Sequence, residues 1–506
     1  MRKFLVLFRI LVGTIFIISG LIKANDPVGF SYKLEEYFTV FKSMDSVAHT
    51  QKEMRSLTSE EVDAIFAGTS SIVPVDFSGQ QIDLTAEDAR DAFMYVEEEI
   101  STYNMVERQS LWNSFCNLMF EYALWLSIFV CIIEILLGLA VIAGVFTRAS
   151  GILLFGMILF FLALTFYSAY FNKVTDCGCF GDALPLTPWQ SFYKDVILLI
   201  LILPLTIFPA HWKGNVFDMN EKLVAAGSVL LGIILCTVVF DWQLPAIFII
   251  MAVLLRWIVG MFNSSGKWLT PLAVLLPTLM SLGYSLHCNY YLPKKDYRPW
   301  AIGNSIPEKL KGTPEYADIY MIYKNKESGA LVENLAIKTD LNGNVINTWE
   351  WMDSTFSATH EFVDQRKVII KEGEIAPIHD MTLKNPVDDN DYFESFVYNP
   401  GYKLMVVTYD LSKTNTEAIP ELNALAEQWM AEGHEIIGAT ASGDDKLIPY
   451  LADFKIPYPY YTNDATALKT IIRSNPGIVL LQDTIIKGKW PSTDLPSMEE
   501  LKKKMK

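Results

Sequence analysis

Apolar positions along this chain gather into runs too long for the core of a soluble domain. Nearly uncharged apolar stretches fill residues 4–22, 118–145, 151–171, 191–209, 223–240, 244–261 and 269–286. A helix crossing the hydrocarbon core of a bilayer needs about 20 such residues, so the pattern predicts seven membrane spans. Only Asp241-Trp242-Gln243 separates the fifth run from the sixth. The first run follows Met1-Arg2-Lys3, a basic start shared with signal peptides. Its length, and the lack of a small-x-small cleavage site behind it, predict a retained helix.

Orientation follows from the basic residues between the runs. Arg2, Lys3, Arg148, Lys213 and Lys267 all fall on one side when seven spans alternate, and positive loops mark the cytoplasmic face. Residues 23–117, the loop at 173–190 and everything after His287 are then extracytoplasmic. In a cell with two membranes this is a multi-pass inner-membrane protein with a cytoplasmic N-terminus and a periplasmic C-terminal domain.

Between and after the runs the pattern changes. Residues 43–112 are polar and acidic. Thr58-Ser59-Glu60-Glu61 and Thr85-Ala86-Glu87-Asp88 each set an acid behind a threonine, a helix-start pattern that predicts an inserted extracytoplasmic helical cap. Residues 290–376 alternate short apolar runs with turns. Strands are expected at 318–324, 331–338 and 345–351, with a turn at Leu341-Asn342-Gly343-Asn344. From residue 377, strands at 403–409 and 434–440 and a hairpin at 477–482 and 485–490 interleave with helices at 417–432, 444–454, 464–473 and 498–504. That alternation predicts an α/β sheet with a mixed edge. The expected layout is a first spanning helix in 1–42, the cap in 43–112, and the rest of a four-helix unit in 113–209. Three further spans lie in 210–289, a small β-rich linker domain in 290–376 and the α/β domain in 377–506.

Composition agrees with a membrane protein. Charged residues are 19% of the chain and hydrophobic residues 51%, where soluble domains carry about 25% charged residues. A net charge of −16 offers no basic groove, so nucleic acid is excluded as a partner. The partners expected are the lipid bilayer and an extracytoplasmic protein client.

Candidate chemistry lies in cysteines and in charges within the spans. Four of the six cysteines, Cys116, Cys177, Cys179 and Cys288, fall on the outer face, where disulfides persist. Cys131 and Cys236 lie within spans and read as small apolar fillers. Cys177-Gly178-Cys179-Phe180-Gly181-Asp182 is the most specific local signal. Two cysteines around one glycine can form a redox pair, a permanent staple or half of a metal site, and spacing does not separate these. As a redox pair, Cys177 and Cys179 are the candidate catalytic residues, with Cys116 and Cys288 as relay thiols; no metal is expected. Arg9 in the first span, with Glu121 and Glu134 in the second, are costly in lipid and call for partners. An Arg9–Glu134 ion pair between the two helices is the expectation.

These residues also carry a resemblance. Arg9-Ile10-Leu11-Val12-Gly13 and Ser19-Gly20-Leu21-Ile22-Lys23-Ala24-Asn25-Asp26-Pro27 resemble the opening of DoxX-type proteins. Glu134-Ile135-Leu136-Leu137-Gly138, Gly144, Arg148 and the Cys-Gly-Cys-Phe-Gly loop resemble the MauE branch. The resemblance covers 4–42 and 113–209. It implies an inner-membrane four-helix bundle that assists disulfide formation or electron supply outside the cytoplasm. The insert and the three extra spans depart from it. Residues 377–506 resemble thioredoxin-like proteins of the TlpA and peroxiredoxin type. Ile375-Ala376-Pro377-Ile378-His379-Asp380 is similar to their entry motif, and the stretch from Ile419-Pro420-Glu421 is similar to the helix after their active site. That alignment sets Ser412-Lys413-Thr414-Asn415 where the family has Cys-x-x-Cys, and Pro476 where it has a cis-proline. The resemblance thus implies a degenerate site at Ser412, Asn415 and Pro476, one that binds but exchanges no disulfide.

The expected fold class is a multi-pass α-helical membrane bundle of about seven spans plus an extracytoplasmic α/β thioredoxin-like domain. The expected function is thiol–disulfide redox or maturation of extracytoplasmic clients, as an oxidoreductase if an enzyme. A non-redox scaffold or assembly protein is the alternative, and a transporter the third. No cofactor is fixed by these residues; a quinone is the one candidate.

Overall fold

The computed structural model describes residues 2–43, 46–56, 95–107, 110–171, 178–212, 217–262, 271–313, 316–339, 345–347, 354–371 and 376–505, with isolated positions between them. Helix α1 (Arg2–Asn25) enters the bundle and ends at Asp26, and Pro27 opens α2 (Pro27–Ser43). Strands β1 (Ser46–Ser56) and β2 (Tyr95–Glu107) pair antiparallel. Helices α3 (Leu111–Glu121), α4 (Ala123–Ala143), α5 (Thr147–Phe171), α6 (Pro188–Ile207), α7 (Met219–Val238), α8 (Leu244–Phe262) and α9 (Leu272–Tyr290) follow.

Six of these, α1 and α4–α8, are long and apolar enough to cross a membrane. The seventh expected span falls on α9. The stretch at 269–286 does form a helix, α9, but Pro277, Thr278, Ser281 and Ser285 lower its apolar character. It still runs beside α1, since Tyr284 Oη donates to Asn25 Oδ1 at 2.9 Å. The second expected span is two helices, broken at Tyr122, with α3 capped by Ser110 accepting from the Asn113 N–H. A left-handed Gly144 ends α4.

The centre of the bundle is the contact of α1 with α4. Glycines allow it: a Cβ on Gly138 would meet the Gly13 carbonyl oxygen at 2.8 Å, and one on Gly20 would meet Ile135 Cγ1 at 2.6 Å. Small residues that let backbones approach are the common solution inside a bilayer, where apolar side chains gain nothing by leaving lipid.

The insert differs from expectation. Its described residues include the β1–β2 ribbon, with Lys52 in register with Glu99 and Val47 with Val106, and helical positions at Val62, Ala64 and Ile65. The threonine–acid sequences at 58–61 and 85–88 lie outside the described residues. Tyr95, Val96, Ile100, Thr102 and Tyr103 are strand formers.

After α9 come β3 (Tyr316–Asn325), β4 (Leu331–Thr339), β5 (Val345–Asn347) and β6 (His360–Lys371), an antiparallel sheet in the order β5-β4-β3-β6. β3 and β4 fall where the alternation predicts them and β5 opens where the third strand is expected, whereas β6 is not among the expected strands; the turn at 341–344 lies outside the described residues. The tail is an α/β unit of β7 (Tyr402–Thr408), α10 (Ile419–Ala431), β8 (Glu435–Thr440), α11 (Asp444–Asp453), β9 (Tyr460–Thr462), α12 (Ala465–Ile471), β10 (Gly477–Gln482), β11 (Ile485–Pro491) and α13 (Met498–Lys504). Its sheet order is β11-β10-β7-β8-β9, parallel across β7-β8-β9 and antiparallel on the other side. Alternate residues of β7 face two cores. Leu404 and Val406 pack with Leu422 and Trp429, and Met405 and Val407 with Leu468 and Ile471. The second core also takes in Trp300 and Ile306, and Ile306 N–H bonds to the Thr484 carbonyl at 3.0 Å. The tail therefore draws on chain that precedes the β3–β6 sheet.

Candidate functional site

The described part of the loop between α5 and α6, residues 178–187, is shaped by two glycines and a helix cap. Gly178 and Gly181 take left-handed angles, φ +64° and +50°, and the Gly181 N–H bonds back to the Gly178 carbonyl at 3.0 Å. A reciprocal cap of Thr187 and Gln190, with Pro188 between them, then starts α6. Cys179 in this loop is disulfide-bonded, whereas Cys116, Cys131, Cys236 and Cys288 are free. Cys177 lies outside the described residues. Cys116 and Cys288 are both buried, on α3 and α9, so neither expected relay thiol is open to solvent.

Beneath Cys179 lies a buried polar chain. Ser19 Oγ is 2.9 Å from the Cys179 carbonyl oxygen and 3.0 Å from Glu134 Oε2. Lys23 Nζ is 2.5 Å from Glu134 Oε1, with both side chains almost wholly buried. The same small cavity, about 20 Å³, is lined by Lys194 and Asp195, an ion pair at 2.8 Å whose geometry falls short of a hydrogen bond.

The expected Arg9–Glu134 pair is therefore wrong. Arg9 donates to Glu221 at 2.5 and 2.8 Å and to the carbonyls of Val141 and Ile142 at 2.9 Å. The reason is depth: residues 141–142 lie seven to eight positions beyond Glu134, about 11 Å along the helix. Lys23, at the other end of α1, reaches Glu134 instead. Glu121 is exposed at the α3–α4 break, not inside the bundle.

The tail closes over the loop. Arg473, after α12, reaches Asp26 Oδ2 at 2.9 Å, at the end of α1, and Asp182 Oδ2 at 2.9 Å, three residues past Cys179. Tyr32 on α2 donates to Tyr409 Oη at 3.0 Å, and Lys469 Nζ sits 4.2 Å from the centre of the Tyr32 ring. Burial pushes the pKa of both phenols up, and Tyr409 pushes that of Tyr32 up further, so both stay neutral donors and acceptors. Burial also raises Glu35, against the pull of Lys469. Between tail and bundle lies a cavity of about 660 Å³, whose walls include Gly178, Asp182, Tyr32, Lys33, Lys469 and Arg473.

The Ser412–Asn415 segment lies beside Asn475-Pro476. The Asn415 N–H bonds to the Asn475 carbonyl at 2.9 Å, Asn475 Nδ2 donates to the Asp410 carbonyl at 2.7 Å, and Asn475-Pro476 is cis. Ser412 is exposed, its N–H bonded to Asp410 Oδ1 at 2.9 Å. Lys413 Nζ lies 6.0 Å over the ring of Phe120, at the end of α3. Sequence reasoning did not single out Lys23, Lys194, Asp195, Glu221 or Arg473. For Arg473 the signal was its place three residues before Pro476.

Residues 101–208 match the family model of the methylamine utilisation protein MauE. Residues 101–208 are MauE-like, and with the apolar helices this marks a membrane protein. The match is roughly a fifth of the chain and carries the Cys179 loop and Glu134. Protein TlpB of Flavobacterium psychrophilum is 32% identical over 115 residues, 22% of this chain and 30% of that protein. The chain thus spans less than a third of this curated relative. A crystal structure of an uncharacterized conserved protein from Geobacillus kaustophilus covers 24% of this chain and 74% of its own, at 14% identity and a TM-score of 0.20; it carries no argument.

Proposed function

We propose that this chain is an inner-membrane thiol–disulfide exchange or maturation factor. The Cys177–Cys179 pair exchanges with an extracytoplasmic client, and the tail is a thioredoxin-like lid that binds without thiols of its own. The observation that carries the reading is Arg473, which joins the tail to Asp182 in the disulfide loop beside the 660 Å³ cavity. A client entering that cavity would meet the loop from one side and the tail from the other. The order β11-β10-β7-β8-β9 and the cis Asn475-Pro476 against Asn415 support the thioredoxin-like reading of the tail. The MauE match and the TlpB relative support a redox or maturation role.

In the exchange a client thiolate attacks one loop sulfur and the other loop sulfur leaves as thiolate. The mixed disulfide is then resolved by the client's second thiol, so client and loop swap oxidation state. Lys23 and Lys194 line the cavity below Cys179, each paired with a carboxylate, Glu134 and Asp195. The residues do not fit a quinone at this point, because that cavity holds only about 20 Å³. No step is assigned to one.

Membrane orientation is part of the proposal. Helix α1 runs from the basic start to Asn25, where Asn25 Oδ1 accepts from the N–H of Lys294 at 2.9 Å, in the segment leading to the tail. That supports a cytoplasmic N-terminus and a periplasmic tail. A reporter fused after residue 506 should be active only outside the cytoplasm.

The test of the exchange is trapping. Cys177→Ser or Cys179→Ser alone should give an adduct that reductant dissolves, and should lose client maturation as fully as the double variant. The scaffold reading draws on the cysteine-free tail. It expects no adduct and full maturation in the double variant, an outcome that would end the redox reading.

A further inference from the structure

At the end of the bundle away from the tail, α1, α4, α7 and α8 part around a second cavity of about 390 Å³. Ala225, Ala226 and Ala252 leave the space, and Leu254 and Trp257 on its wall are exposed on the outside of the bundle. Along α7 the lining runs from Glu221 to Val229, about 12 Å of helix. This is a slot shaped for a chain and open toward lipid.

Charge gathers at one end only, at Glu221, Lys222 and Arg256. Glu221 is already neutralised, since it accepts from two nitrogens of Arg9. Lys222 and Arg256 are the two cations on the lining at that end. Arg256 Nε donates to the Ala143 carbonyl at 3.2 Å, which ties the guanidinium to the wall of the cavity. An apolar slot with a cationic mouth matches an acyl chain below an anionic headgroup. Basic pockets between membrane helices recognise such headgroups.

We propose that this cavity is a binding site for one anionic phospholipid, its acyl chain among the alanines and its phosphate at Lys222 and Arg256. The site is separate from the exchange chemistry and stands whether or not that reading survives. The test is native mass spectrometry of the delipidated full chain, incubated with phosphatidylglycerol or phosphatidylcholine of identical acyl chains. Phosphatidylglycerol should be retained preferentially, by about fivefold for each cation that contacts it. Lys222→Gln with Arg256→Gln should erase the preference while leaving retention of phosphatidylcholine as it was. Ala226→Leu should lower retention of both lipids. Lys222 is exposed, so Lys222→Gln alone keeps the test open if the other variants fail to fold. Equal retention of the two lipids by the parent protein, or a preference that survives removal of both cations, overturns the proposal.

Discussion

Arg473 and Asp182, 291 residues apart in sequence, meet at 2.9 Å and join the tail to the loop that carries Cys179. The same guanidinium holds Asp26 at 2.9 Å, and its side chain is only 7% exposed. Two carboxylates from two membrane elements thus converge on one tail residue. The Asp26 contact is the more buried of the two, with Asp26 19% exposed against 45% for Asp182, so it carries more of the docking than an exposed pair would.

The docking should depend on that convergence. Removing Arg473 leaves Asp26, 19% exposed, without its cation, a cost below the roughly 3–5 kcal/mol of a fully buried pair. Arg473→Ala should therefore loosen the tail without unfolding it, since its own two cores are untouched. Hydrogen exchange should rise in α2 around Tyr32 and in the 182–186 loop while β7 and β10 stay protected. Unchanged exchange at Tyr32 would show that the aromatic contacts hold the tail alone.

Lys23 and Glu134 form the second pair to test. Glu134→Ala leaves the Lys23 ammonium buried beside Phe30 and Phe161 and should lower folded yield, at a cost of roughly 3–5 kcal/mol. Adding Lys23→Met should restore much of the yield. Adding Arg9→Leu should not, because Arg9 belongs to Glu221. Rescue by Arg9→Leu would return the pairing to the one the sequence suggested.

Gly138→Val probes the helix contact itself. A Cβ there meets the Gly13 carbonyl and the Ile17 backbone nitrogen at 2.8 and 3.0 Å, and backbone atoms cannot swing aside as a side chain can. The variant should be destabilised by about 1–3 kcal/mol, as overpacked cores are. A lower unfolding midpoint in detergent checks it. Gly156→Val, where a Cβ meets nothing, should be silent by comparison.

How much of this was legible in the sequence depended on how local each cause was. Spanning helices are set by length and apolarity, and the tail strands by burial on both faces, so 403–409 and 477–482 fall within a residue of β7 and β10. Ion pairing is set by depth and rotation of one helix against another. Arg9 and Glu134 look adjacent until their partners place them about 11 Å apart along α4. Lys23 was overlooked because it stands one residue beyond the apolar run. The β1–β2 ribbon depends on pairing across a long insert, which no local pattern records. For the candidate site, Cys179 and the meeting of Asn415 with Asn475 could be anticipated from motifs. The closure of the tail by Arg473 could not, because it requires the docked arrangement of both parts.

The neck between bundle and tail makes stability depend on pH in a stated direction. Lys489 in β11 donates to Asp296 Oδ2 at 2.8 Å and to the Ile471 carbonyl. Burial, and then Arg298, lower its ammonium from 10.5 to about 7 against the pull of Asp296. Burial opposes the charge on Asp296 too, but Arg298 and Lys489 hold its carboxyl well below the usual range. Below about pH 7 Lys489 is protonated in both folded and unfolded chains, so it adds no slope. Between about pH 7 and 10.5 the unfolded chain binds more protons than the folded one, so the folded state gains stability as pH rises. Asp296 adds its own dependence only in acid, where stability is lost as the carboxylate is protonated. Lys489→Met should remove the alkaline rise. It should also fold, because Asp296 keeps Arg298 at 2.7 and 2.9 Å. The measurement is the thermal unfolding midpoint of both proteins in the same detergent at steps from about pH 6 to 9. The difference between them should stay flat up to about pH 7 and then move in favour of the parent protein. A difference that does not change with pH would mean that Lys489 keeps its proton in the folded state, and the neck would carry no such dependence.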